Sequence, residues 1–228
     1  MQNPVSRRRA ARVAAFGAGL AFLVVVGPLV FFHLVEGGSA PKLALPPSSG
    51  PVAPGPVSGT WKVGPGSVAG YRVDEILFGQ AHAAVGRTQK VTGAIVISGN
   101  EVAAGAFTVD LRAISSDQRS RDVQFNGYIM ETYRYRYASL RLTKPIQVGT
   151  IPGAGQTVHV AATGDLTLRG VTQPVTFSLT AERVGDGIDV NAQIPVTFSR
   201  WRIPNPSFVV AKVGDSGTVE VLLHLLRS

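Results

Sequence analysis

The side chains able to do chemistry are few in this chain and poorly spaced for it. Cys is absent, which excludes thiolate metal sites, Cys nucleophiles, disulfides and a lipid-modified Cys. Beyond residue 60 there are three histidines, His82, His159 and His224, with no HxH, HxxxH or HExxH spacing among them. No local metal-ligand set therefore exists, and His159 and His224, on the less apolar faces of strands, read as rim or surface histidines. There is no GxSxG elbow and no glycine-rich phosphate loop, and the acids are scattered. His159 and Asp165 share a strand face but lie six residues apart. At about 3.3 Å per residue that is roughly 20 Å, beyond the reach of an acid–base pair. The sequence names no catalytic residue and no metal site, and the expectation is a protein that is not an enzyme.

One local oddity remains, Tyr133-Arg134-Tyr135-Arg136-Tyr137, with Tyr128 before it and Arg141 after it. It fits an aromatic, basic platform for single-stranded nucleic acid, or Tyr and Arg among anionic lipid headgroups. It equally fits plain strand alternation, with the three Tyr on one face and the two Arg outside. The charge distribution bears on this choice. Residues 1–59 hold five basic residues and one acid, and residues 60–228 hold 17 and 13, so half of the net +8 lies in a quarter of the chain. A nucleic-acid module concentrates charge on its folded domain; no nucleic-acid partner is expected.

The elements that position these residues divide the chain in four. Residues 1–12 form a basic N-terminus. Val13–Val35 is 23 residues without a formal charge, long enough as a helix, at roughly 35 Å, to cross a bilayer core of about 30 Å. Arg7, Arg8, Arg9 and Arg12 precede it and Glu36 follows, which predicts a cytoplasmic N-terminus and an extracytoplasmic remainder at the cell membrane. A cleaved signal peptide is the rival, but its apolar core usually runs about 7–15 residues. Residues 37–59 contain six Pro, five Gly and four Ser, a linker composition with a reach of up to about 70 Å at about 3.1 Å per residue.

From residue 60 to 228 the period is two. Val158, Val160, Ala162, Leu166 and Leu168 share one face, and so do Val175, Phe177, Leu179 and Ala181, then Ile188, Val190, Ala192, Ile194, Val196 and Phe198. Arg169-Gly170 and Gly185-Asp186-Gly187 supply hairpin turns. Further strands are expected at about 69–75, 87–97, 101–111, 137–148 and 218–226, and one helix within Ser115–Glu131. The last strand is apolar on both faces, with Leu222 and Leu226 opposite Val219, Val221, Leu223 and Leu225; it should be covered by another element. The fold class predicted is all-β: an eight-stranded antiparallel barrel with one short helix, preceded by an N-terminal transmembrane helix.

The stretch Gly164-Asp165-Leu166-Thr167-Leu168-Arg169-Gly170-Val171-Thr172-Gln173-Pro174-Val175 resembles the hairpin signature of the YceI-like proteins. Ser116–Asp122 is similar to that family's helical stretch ending in Arg-Asp. Trp61-Lys62-Val63, Tyr71-Arg72-Val73 and Gly217–Leu225 sit where the family places its first and last strands. The resemblance covers residues 60–228. It implies a lipocalin-like barrel enclosing an isoprenoid-type lipid, polyprenyl or quinone, with no other cofactor.

The side chains expected to line the barrel are Phe107, Val109, Leu111, Leu166, Leu168, Phe177, Leu179, Ile194, Val196 and Phe198, with Arg121, Tyr135, Arg200 and Trp201 at its mouth. The expected partners are a lipid ligand and, through residues 13–35, the membrane. The alternative is a barrel packed solid that docks another envelope protein through Phe208-Val209-Val210. The oligomeric state is not encoded in any feature of the sequence.

Overall fold

A computed structural model describes residues 40–47, 56–77, 79–149, 156–207 and 211–228. The chain divides into two units, Met1–Ser39 and Ala40–Ser228. The expected span at 13–35 and the Phe208-Val209-Val210 stretch lie outside the described residues. Among the described residues no helix is long and apolar enough to cross a membrane.

The strands are β1 (Gly59–Val63), β2 (Val68–Leu77), β3 (Gln80–Thr88), β4 (Val91–Ser98), β5 (Glu101–Asp110) and β6 (Ser115–Ser116). After a helix α1 (Arg119–Gln124) come β7 (Tyr137–Leu142), β8 (Ile146–Gln147), β9 (Thr157–Leu168), β10 (Val171–Val184), β11 (Gly187–Thr197), β12 (Ala211–Val213) and β13 (Ser216–Arg227). Every pairing is antiparallel, and the order β1-β4-β5-β7-β9-β10-β11-β13 closes on itself through β1–β13. β1 and β2 pair in succession with β13, Val63 opposite Leu225 and Val68 opposite Leu222. They are two halves of one bent wall strand. β3 and β4 follow them in the same way, and β12 continues β13 along β2. The result is an up-and-down barrel of eight walls, in which closure leaves no exposed edge in the ring.

Alternation decides which side chains fill it. On β9, Ala162, Leu166 and Leu168 are buried, while His159, Thr163, Asp165 and Thr167 take the other face. Between β9 and β10, Arg169 and Gly170 both have positive φ, 47° and 71°, as a two-residue hairpin of this hand requires. Gly170 is needed for a second reason: a Cβ there would lie 2.5 Å from the Tyr135 ring.

β5 ends at Asp110, opposite Tyr137 of β7, and residues 111–136 form an excursion between the two strands. Ser115 and Ser116 pair with Arg87 and Gly86 of β3, so the helix expected from residue 115 starts only at Arg119. Its start is held by Asp122, which accepts from the Ser116 amide at 2.8 Å and the Ser116 hydroxyl at 2.7 Å. The helix then widens into a π turn, Phe125–Ile129, closed by the Met130 amide on the Phe125 carbonyl at 2.9 Å. Residues 131–136 are turn rather than strand. The alternation expected for the Tyr-Arg run is therefore not there: Tyr133 and Tyr137 are exposed, and Tyr135 is half-buried.

Part of the Pro-rich stretch is docked on the barrel. The guanidinium of Arg72 donates to the Ala40 carbonyl at 2.6 Å, Arg87 donates to that of Pro41, and the Asn191 amide donates to that of Leu43 at 3.0 Å. Beneath this strap sits Glu220, 1% exposed, accepting from Arg72 at 2.6 Å and Arg87 at 2.9 Å. Asn191 is the cross-strand partner of Leu222, so the strap passes over the outer apolar face of β13. The cover that this strand calls for comes from residues the composition assigns to a free linker.

Candidate functional site

The barrel has two ends. At one lie the β2–β3 turn, the 111–136 excursion, the Arg169-Gly170 turn and the 198–215 excursion; this end is called the mouth. At the other lie the β4–β5, β8–β9 and β10–β11 connections.

The ten side chains expected to line the barrel are distributed over two apolar clusters. Leu111, Leu166, Leu168, Phe177, Ile194, Val196 and Phe198 are buried in one, with Leu179 packed against it. Phe107 and Val109 pack against the other, built on Trp61, Ile95, Leu223 and Leu225. Some inward side chains packed against the first cluster are covered less completely. Val160, Leu179 and Val221 are half-buried, and they are linked across the strands by the pairs Val160↔Leu179, Leu179↔Ala192 and Ala192↔Val221. Their partial exposure sets them apart from the fully buried inward side chains on either side, such as Phe177 and Ile194.

The expected mouth residues fall into two kinds. Trp201 is fully buried, 0% exposed, and its indole donates to the Leu166 carbonyl at 3.0 Å. That is a core anchor, not a rim residue, because a buried indole N–H needs a fixed acceptor. Arg200 is exposed, lies 5.1 Å from the Trp201 ring and donates to the Pro174 carbonyl at 3.0 Å. Tyr135 is seated against Gly170. Arg169 pairs with Glu131 and donates to the Arg202 carbonyl, so one guanidinium ties three connections of the mouth together.

Arg121 belongs to a polar cluster that the sequence did not single out. Glu75 and His82 are cross-strand partners on β2 and β3, on the face shared by Tyr71 and Val73. His82 Nδ1 lies 3.2 Å from the Glu75 carboxylate, and Arg121 reaches the same oxygen at 3.4 Å while also pairing with Asp117. Facing a carboxylate, Nδ1 carries the proton, which leaves Nε2 as the acceptor of a neutral ring or the second donor of a charged one. That Nε2 is buried without a partner. Three other buried polar atoms share this condition among the described residues. Two are guanidinium Nε atoms, of Arg87 and Arg169, whose neighbouring nitrogens are bonded; the third, on Glu182, lies on the outer face beside Asp189. Tyr71 stacks on Phe125, centroids 5.0 Å apart, and burial pushes its hydroxyl pKa well above the ordinary tyrosine value, so it stays protonated.

The remaining histidines are on the outside, as expected: His159 meets the Thr180 hydroxyl at 2.9 Å, and His224 meets Asp189 at 2.5 Å. A shallow groove of about 470 Å³ along β9–β11 is lined by His159, Ser178, Thr180, Asn191 and Gln193 and also reaches Val160, Ala161 and Leu179. Its open, polar lining suits water better than an apolar chain. Among the described residues no group of three or more His, Asp or Glu is placed to hold a metal ion.

The architecture is thus an up-and-down barrel with apolar clusters inside and a polar cluster at one end. Comparison with known proteins narrows it. A family model, the YceI-like domain, matches residues 61–225. The chain belongs to the YceI-like family. It is 31% identical over 119 residues to a UPF0312 protein of Vibrio campbellii, a match spanning 51% of this chain and 58% of that one, less than two thirds of the relative's length. Among solved structures, the fold is similar to a polyisoprenoid binding domain from Saccharophagus degradans implicated in plant cell wall breakdown, with TM-score 0.57 and 15% identity over 75% of this chain and 99% of that one. It is also similar to Burkholderia cenocepacia BcnA, with TM-score 0.51 and 17% identity over 68% and 95% of the two chains.

Proposed function

We propose that the barrel binds the apolar chain of an isoprenoid-type lipid, polyprenyl or quinone, with the lipid's polar end at Glu75, His82 and Arg121. The observation that carries this reading is the half-buried inward belt of Val160, Leu179 and Val221, apolar side chains packed against the first cluster yet incompletely covered. An apolar chain covering that belt gains about 0.8 kcal/mol per CH2 removed from water, about 4 kcal/mol for each five-carbon isoprene unit. The orphan nitrogen of His82 offers one hydrogen bond to whatever follows the chain. The Saccharophagus relative supports the ligand class, and the family membership supports a binding role. The apolar run 13–35 with its preceding arginines supports a membrane-held protein whose barrel lies outside the cytoplasm.

The test is lipid extraction and native mass spectrometry on the full chain purified in mild detergent. A co-purifying polyprenyl or quinone lipid, or a rise in melting temperature on adding one, is expected. Absence of both overturns the proposal. Leu179→Trp, which fills the belt, should leave the protein folded and remove the lipid.

A further inference from the structure

The described surface carries six exposed large apolar side chains, and five of them are at the mouth end. Ile76 is near the β2–β3 turn; Val123, Tyr128 and Tyr133 are on the 111–136 excursion; Tyr137 opens β7 at the same end. Only Val96, on β4, is not. Val123, Tyr128 and Tyr133 are each about two-thirds exposed or more, at 65%, 66% and 72%.

Charge follows the same division. The mouth connections 111–136, 169–170 and 198–215 hold nine Arg or Lys against four Asp or Glu, whereas the far-end connections 99–100, 143–156 and 185–186 hold one of each. Among the described residues neither Arg119 nor Arg134 has a carboxylate partner, while Arg121, Arg136 and Arg169 do.

A third observation comes from the strap. Strand β1 begins at the far end, but the strap runs back along the wall and leaves Ala40 on Arg72, five residues from the last residue of β2. Ala40 therefore lies against the mouth-side half of the barrel wall.

We propose that the mouth end docks on an anionic lipid bilayer. Exposed Tyr with an aliphatic side chain, ringed by Arg, is the composition that settles at the headgroup level. Unpaired Arg supplies the attraction to anionic lipid, about fivefold in binding per residue near the surface. Docked this way, the end of the barrel that carries Glu75, His82 and Arg121 faces the bilayer from which, on the lipid-binding reading, an apolar chain enters. The purpose rests on the lipid-binding reading; the docking does not.

The chain has no Cys, so single-cysteine variants of the full chain carry one nitroxide label each. The variants are Tyr128→Cys and Tyr133→Cys at the mouth, and Asp186→Cys at the far end. They are mixed with vesicles of phosphatidylcholine, with or without phosphatidylglycerol, and collision with oxygen is compared with collision with a water-soluble nickel chelate. With phosphatidylglycerol present, labels at 128 and 133 should shift severalfold toward oxygen, and the label at 186 should keep its solution value. Adding Arg119→Gln and Arg134→Gln should lower the docked-to-free ratio roughly thirtyfold and return both mouth labels to solution values. If the mouth labels match the label at 186 in anionic vesicles, the proposal is wrong. It is also wrong if they are immobilised equally without lipid, which indicates a protein partner. Lipid extracted from the same sample reports on bore occupancy separately, so the two readings fail independently.

Discussion

Glu220→Gln is expected to be among the most damaging single-atom changes outside the core. The substitution keeps size and one acceptor oxygen, so no cavity forms, and only the charge and one strong acceptor are lost. Glu220 is 1% exposed and Arg72 9%, at 2.6 Å; Arg87, at 2.9 Å, is 24% exposed and can turn to water. Removing one partner of a buried pair costs about 3–5 kcal/mol. Arg87's share is screened and the Gln oxygen retains a neutral hydrogen bond, so the low end, about 3 kcal/mol, is expected. For a domain of this size that is about 6–12 °C in melting temperature. The strap supplies a second readout. Lys42 lies between Pro41, bonded through its carbonyl to Arg87, and Leu43, bonded to Asn191. Cleavage after Lys42 by trypsin under native conditions tracks the population in which the strap has lifted, and should speed up tenfold or so in the variant. Replacing both partners, Arg72→Leu with Glu220→Leu, should recover part of the loss, because no unpaired charge is left buried. A variant melting within about 2 °C of the parent, with Lys42 equally protected, would refute the reasoning.

Trp201→Phe removes the donor to the buried Leu166 carbonyl and opens a small void, and should cost about 2–4 kcal/mol in urea titration; a loss under about 1 kcal/mol would show that the anchor is not needed. Gly170→Ala places a Cβ at φ 71° and 2.5 Å from the Tyr135 ring, so stability should fall by at least about 1–2 kcal/mol. The hydrogen bond from Arg136 holds the Asp110 carboxyl pKa below its ordinary value. A depressed folded pKa contributes stability above the ordinary carboxylate value, and that stability is lost as pH falls through the depressed one. The melting-temperature gap between parent and Asp110→Asn should thus stay constant above about pH 5 and close below about pH 4; a gap independent of pH over that limb contradicts the assignment.

The half of the barrel from β9 to β13 is legible in the sequence because large apolar side chains alternate with Thr, Ser, Asp and Asn and the turns carry Gly. The long first hairpin is less so. The inward positions Ala84, Gly86 and Thr88 are small or polar because Tyr71 and the 111–136 excursion occupy the space beside them; a Cβ on Gly86 would meet the Tyr71 ring at 2.5 Å and Ile114 at 2.9 Å. Alternation is muted where packing demands small residues, and so the Glu75–His82 pair went unseen. Its signal was the register: with the turn placed at residues 78–79, His82 falls opposite Glu75. The strap is invisible for another reason. Arg72, Arg87 and Asn191 bind its backbone carbonyls, which every residue has, so a Pro-rich segment reads the same whether docked or free.

The two ion networks of the β2–β3 region differ in a way that separates structure from function. Around Glu220 both carboxylate oxygens are taken, and the spare donors of Arg72 and Arg87 are used on the strap. Only Arg87 Nε is left without a partner there, and the network's effect is to hold the strap on the barrel. Around Glu75 the carboxylate holds His82 and Arg121, yet the terminal nitrogen of the imidazole faces inward with nothing to bond. An unmade hydrogen bond at a buried atom costs about 1–3 kcal/mol, an expense a purely structural cluster could avoid with Phe in place of His. On the lipid-binding proposal, that cost becomes affinity when a polar group arrives. The proposed lipid has an apolar chain to cover the half-buried belt and one polar end to meet His82 Nε2, and so would satisfy both features at once.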